Sequence, residues 1–215
     1  MQLAQRLGDA LLDAASVAPE SLLLVERVRD LVEAVVRTDV GLAERARLVT
    51  AIEPITRQLE QRLREPAILI GRHGDGRIEN LTQAGSGRLN PQAPRLRFVD
   101  LPTPPAVQGE GPVPVEIRAV CTLTVAHGGP PGRAHGGVVA GLLDEMLGVA
   151  ATMAGASGMT AGLNVRFVKG TPLGVELDIA ARLTGSEGRK SFASGEIRAG
   201  GVVTAEATAI FVGAG

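Results

Sequence analysis

Tryptophan and tyrosine are missing from this sequence, and four phenylalanines are its only aromatic residues. Recognition of nucleic acid by stacking bases on aromatic rings therefore has almost nothing to work with. A single cysteine, Cys121, excludes an intramolecular disulfide and points to a reducing compartment. Its place in an alternating apolar run makes it a strand core residue rather than a nucleophile. Neither sign of charge dominates: 22 basic against 23 acidic side chains leave a formal net charge of −1. Neither nucleic acid nor an anionic membrane surface is called for. Lysine is nearly absent, with only Lys169 and Lys190. No apolar run approaches the length that spans a bilayer, and Asp9 and Asp13 interrupt what would be the core of a signal peptide. The expectation is a soluble, cytoplasmic protein.

What is present divides into two halves of different period. Up to about Glu65 the apolar residues recur at helical spacing, one stripe running through Leu24, Val28, Leu31, Val32 and Val35, another through Leu42, Val49, Ile52 and Leu59. A first helix is expected over about Gln2–Ala15. Pro19 suits the first turn of the second helix, Thr38 or Asp39 is placed to cap the third, and Pro54 should kink or divide it. Glycines 71, 74, 76, 85 and 87, with Asn90-Pro91 and Pro94, read as a linker. The division is a helical extension over residues 1–70, a linker over 71–93 and a second domain over 94–215. A short strand near Leu96–Leu101 is followed by a turn-rich stretch from Pro102 to Pro114.

From Val115 the period becomes two. A strand over Val115–Val125, a long apolar helix over residues 136–154 and four further strands are expected, at about Met159–Val168, Gly174–Leu183, Lys190–Arg198 and Val202–Val212. This is an α+β layout in which an antiparallel sheet covers one helix. Val138, Val139, Leu142, Leu143, Met146, Leu147, Val149 and Ala150 go round the whole helix, as in a buried one. Asp144 and Glu145 are its only charges. A carboxylate in such a helix must be partnered, exposed at an interface, or kept for chemistry. The helix opens after Gly132-Arg133-Ala134-His135-Gly136-Gly137, where free first-turn N–H groups can meet developing negative charge.

The run from Gly129 to Gly137, then Leu143-Asp144-Glu145, then Met159-Thr160-Ala161-Gly162-Leu163-Asn164-Val165 resembles the PaaI-like hot-dog thioesterases, near the thioesterase superfamily member four group. The match runs from about Asn90 to Val212 and includes the Gly188-Arg189-Lys190 turn. The resemblance implies a hot-dog fold, acyl-CoA thioester hydrolysis, dimers or tetramers of dimers, no metal, and coenzyme A only as part of the substrate. It places the base or nucleophile on Asp144, the N–H that polarises the thioester carbonyl on Gly136, and the orienting hydroxyl on Thr160, with His135 a secondary member. Gly137 falls in the same element as a substrate contact.

The chemistry of the residues agrees. Thioester hydrolysis builds negative charge on the carbonyl oxygen, which a fixed N–H stabilises, and needs an activated water or a direct nucleophile, which a carboxylate supplies. Asn164 lies four residues past Thr160, on the same strand face and about 13 Å away by strand rise, and is expected to line the pocket. Arg133, Lys169, Arg189 and Lys190 flank the site on loops and are candidates for the phosphates of coenzyme A. Two other readings stand beside hydrolysis. One is a hot-dog hydratase or dehydratase, with His135 moving protons. The other is an acyl-CoA-binding sensor, in which a carboxylate beside the thioester would have no purpose. Gly136 and Asp144 lie eight residues apart on one helix, about 12 Å by helical rise, so both can serve one substrate only if two chains share a site.

Overall fold

The computed structural model of the protein describes residues 11–102 and 115–213. Its larger part is a six-stranded antiparallel sheet wrapped round one helix, the hot-dog arrangement. The strands are β4 (Arg97–Asp100), β5 (Glu116–Thr122), β6 (Met159–Phe167), β7 (Glu176–Glu187), β8 (Lys190–Ala199) and β9 (Val202–Val212), in the order β4-β5-β7-β8-β9-β6. The enclosed helix is Gly136–Met153, here α3 by chain order. Nine of its residues are buried, among them Leu142, Leu143, Met146, Leu147 and Ala150, against Ile117, Ile179, Ile197 and Phe211 of the sheet. Each large side chain so placed contributes about 1.5–3 kcal/mol. Helix α3 is long and apolar enough to cross a membrane by length and composition, contrary to the expectation that no run comes near; here it is the core helix under the sheet.

Short turns set the strand register. At Gly200-Gly201 both residues have positive φ, 55° and 79°, the backbone a two-residue hairpin between right-twisted strands requires. The β7–β8 connection is equally tight, and β7 runs on to Glu187 through what read as a turn at Gly185. One irregularity matters for the site. In β6, Thr160 pairs with Phe211 but Gly162 pairs with Ile210, so Ala161 is an extra residue, a bulge.

The N-terminal part differs from expectation in four places. Residues 11–13 form strand β1 and Ala14–Ser16 a 3-10 turn, in place of the end of a first helix; the rest of that expected helix, like most of the stretch from Pro102 to Pro114, falls outside the described residues. Helix α1 covers Pro19–Arg37 with its proline in the first turn, as read. Helix α2, Leu42–Glu60, is capped by neither Thr38 nor Asp39: the connection is long enough to put Gly41 at the N-cap, without a side-chain bond. Pro54 sits inside α2 without dividing it. This helix buries no residue, so the carbonyl that loses its partner at Pro54 is free to take water.

The fourth difference is the segment expected as a linker. Residues 70–93 are folded: β2 (Ile70–Arg72) and β3 (Ile78–Asn80) form a hairpin, β1 adds parallel to β2, and Leu81 and Ala93 are buried. The turn closes through the Gly76 N–H to His73 C=O and the His73 N–H to Arg77 C=O, with Gly76 at φ 84°. Arg29 of α1 donates to the carbonyls of Asn90 and Ala93, tying the helix to this segment.

Candidate functional site

Two elements bring Asp144 and Thr160 together. Asp144 is half-buried at the middle of α3, facing the strand β6 that closes one edge of the sheet. The Thr160 hydroxyl donates to Asp144 Oδ1 at 3.0 Å. Because Thr160 pairs with the buried Phe211, it faces the helix; one residue later the bulge reverses the order of faces. Leu163, Val165 and Phe167 then take the helix side. Asn164 and Arg166 take the outer side, opposite Thr208 and Glu206. The expectation that Asn164 shares a face with Thr160 is therefore wrong: the extra residue at Ala161 turns a spacing of four into opposite faces. Asn164 instead borders a cavity of about 480 Å³ on the outer face, with Glu116, Arg118, Arg166 and Arg182, away from α3.

The other end of the site is the first turn of α3. His135 is the N-cap, its Nδ1 accepting the Gly137 N–H at 3.1 Å. That bond fixes the ring as an acceptor at Nδ1 and uses the Gly137 N–H internally, so Gly137 does not offer it to a substrate. The neighbouring Gly136 N–H engages no acceptor among the described residues, as a first-turn donor does when it is held for a ligand. The Phe167 ring lies over Gly136, so a Cβ there would come within 3.3 Å of it. The loop is held from behind, where the His135 N–H donates to the His127 carbonyl at 2.9 Å and Gly128 bridges Ala134. His127 itself is engaged by the Thr124 backbone N–H, and burial holds its ring below the usual histidine value.

The four basic candidates fall into two pairs. Arg133 packs along Gly170 and bridges Pro172, near Lys169 and the Gly136 end of α3. Arg189 lies in the β7–β8 turn and Lys190 opens β8, where Lys190 and Met159 both pair with Val212, at the Thr160 end of β6; Arg189 donates to the Gly213 carbonyl at 2.9 Å. Cys121 is buried, which pushes its thiol to about 11 and leaves no reactive thiolate.

Glu145 is the residue sequence reasoning left unplaced. It is 9% exposed, and its carboxylate accepts from Gln83 Nε2 and Ser86 Oγ, both at 2.5 Å. Burial pushes this carboxyl above the usual range, against the pull of the Ser86 hydroxyl, and the neighbouring Asp144 adds to the rise. The available signal was an acid in an all-apolar helix, which demands donors. Those donors sit about sixty residues upstream, in the glycine-rich run that read as a linker.

Comparison with known proteins gives three findings. The thioesterase superfamily model matches residues 131–213. Acyl-coenzyme A thioesterase THEM4 from Xenopus laevis is 38% identical over 101 residues, 45% of this chain and 46% of that protein, and the Bos taurus protein of the same name is 38% identical over 104 residues, 45% and 41%. This chain thus spans less than half the length of those relatives. A crystal structure of a thioesterase superfamily protein superposes with a TM-score of 0.74 at 30% identity, covering 94% of this chain and 98% of that one.

Proposed function

This chain belongs to the thioesterase superfamily, and on that footing we propose that it hydrolyses an acyl-coenzyme A thioester to the free acid and coenzyme A. The observation that carries the reading is the Thr160–Asp144 hydrogen bond in a half-buried, accessible position on a helix whose only other charged residue is the buried Glu145. The threonine hydroxyl fixes one carboxylate oxygen and leaves the other to take a proton from water or to attack the thioester carbon. Either step builds charge on the carbonyl oxygen, and the unengaged Gly136 N–H at a helix N-terminus is the donor suited to it. No metal or cofactor is assigned to the reaction; coenzyme A enters with the substrate.

One chain cannot complete this site, since Gly136 and Asp144 are about 12 Å apart along α3. Strand β6 lies at the end of the sheet order with Met159 82% and Phe167 55% exposed, a long open edge carrying apolar residues. A second copy against that edge, related by a two-fold axis, sets Gly136 of one chain beside Asp144 of the other and creates two equal sites. The same symmetry unites the two separated basic pairs: Arg133 and Lys169 from one chain with Arg189 and Lys190 from the other, for the phosphates of coenzyme A. The Nδ1 of His135 is committed to its cap, which disfavours the hydratase reading.

Free thiol release from a panel of acyl-CoAs tests the reaction, because hydration and binding liberate none. Asp144→Asn keeps size and a hydrogen-bond acceptor but cannot act as base or nucleophile, so turnover falls by about 10²–10⁴-fold. Near-normal thiol release by the folded variant removes Asp144 from the chemistry.

A further inference from the structure

The Glu145 carboxylate is surrounded more tightly than a merely neutralised charge needs. The Gln83–Gly87 loop lies so close to it that a Cβ on Gly85 would stand 2.4 Å from Oε2, and a Cβ on Gly87 would stand 2.4 Å from the Gln83 backbone nitrogen. The loop therefore fits one position only, with Gln83 and Ser86 aimed at the two carboxylate oxygens. The same N-terminal part also supports the loop that leads into α3. Helix α1 packs on the Val125–His127 turn, whose His127 carbonyl holds the His135 N–H, and Arg29 of α1 fastens residues 90 and 93. One contact lies next to the Gly136 donor, the other one residue past Asp144.

We infer that Glu145 is a positioning residue, through which the folded segment 81–93 clamps α3 so that Asp144 and the Gly136 loop stand in working geometry. The N-terminal part is then a structural component of the site and not a detachable extension. This rests on the thioesterase reading. The physical reason is that, apart from the exposed Thr160–Asp144 bond, the body of α3 is held to the rest of the fold by apolar packing, which is strong but fixes axial register poorly, whereas two buried directional hydrogen bonds to one carboxylate fix a single register. Displacement of a reacting group by a fraction of an ångström is enough to slow a reaction substantially.

The test uses the full chain and separates charge from position. Replacing the donors alone, Gln83→Leu with Ser86→Ala, leaves a buried carboxylate unpartnered and lowers both the melting temperature and turnover. Adding Glu145→Met removes the charge and fills the space with apolar atoms, so the melting temperature recovers. If Glu145 positions α3, this triple variant still shows kcat about tenfold below wild type with KM within about twofold, and faster amide exchange over residues 143–147. If kcat and exchange return to wild type together with the melting temperature, Glu145 is only a satisfied buried charge and the inference is overturned. Should the triple variant fail to fold, Glu145→Met in the otherwise unchanged chain carries the same decision. Its side chain can bond neither Gln83 nor Ser86, so lowered kcat supports the clamp and normal kcat sinks it. Absence of thiol release by the wild-type chain would refute the proposed reaction instead, and amide exchange in the variants would then decide the clamp alone.

Discussion

Helices α2 and α3 have nearly the same length, 19 and 18 residues, yet one buries nothing and the other buries nine side chains. The difference lies in how apolar residues are distributed. In α3 they go all round, and a sheet has to enclose them. In α2 they form a stripe that leaves Leu42 84% and Val49 57% exposed, with arginines and glutamates paired along the rest, as in Arg57 with Glu53. Helix α1 stands between the two: Val25 is buried and Arg29 is fixed to the loop beneath, while Val35 and Val36 stay exposed. Helical periodicity alone thus says that a helix forms. The circumference of its apolar surface says whether this chain covers it.

That contrast can be broken by substitution. Leu143→Ala, at a fully buried position in α3, should cost about 2–5 kcal/mol in chemical denaturation, the usual toll of an uncollapsed cavity; a loss under 1 kcal/mol would mean the core is looser than its burial indicates. A smaller effect is expected at His127, where the extension meets the hot-dog part. Its folded pKa lies below the ordinary 6.5, so the unfolded chain binds the extra proton in the window beneath that value. Stability from this group is fully present above pH 6.5 and is lost as pH falls through the window. His127→Gln, which retains an acceptor for the Thr124 N–H, should flatten that loss below pH 6.5, and an unchanged slope would assign it elsewhere. Smallest of all, Val49→Ser on α2 should alter stability by no more than about 0.5 kcal/mol. A drop of several times that would show that a partner covers the helix.

Much of the hot-dog half was legible. Alternation marked β5 and β9, the glycine pair at 200–201 marked the β8–β9 hairpin, and the unbroken apolar surface of α3 marked the buried helix. Asp144 and Thr160 meet as the family resemblance implied. Asn164 did not follow, because one inserted residue reverses every side chain after it and no local pattern distinguishes Ala161 from its neighbours. In the N-terminal half, Asp75-Gly76 between Ile70 and Ile78 is a hairpin signal that the surrounding glycines masked. The partners of Glu145 were out of reach for a different reason: pairing across 59 and 62 residues leaves no period to detect.

The shared site is the claim on which the rest depends, and complementation between two defective chains measures it. One chain carries Asp144→Asn; the other carries Gly136→Val, whose added carbons press on the Phe167 ring, so its folding and dimerisation are confirmed before activity is read. Each parent should be nearly inactive. Hybrids should hold one intact site and one doubly damaged site, and recover about half the thiol release of the wild-type dimer. Purified, folded hybrids as inactive as their parents would contradict a site built from two chains.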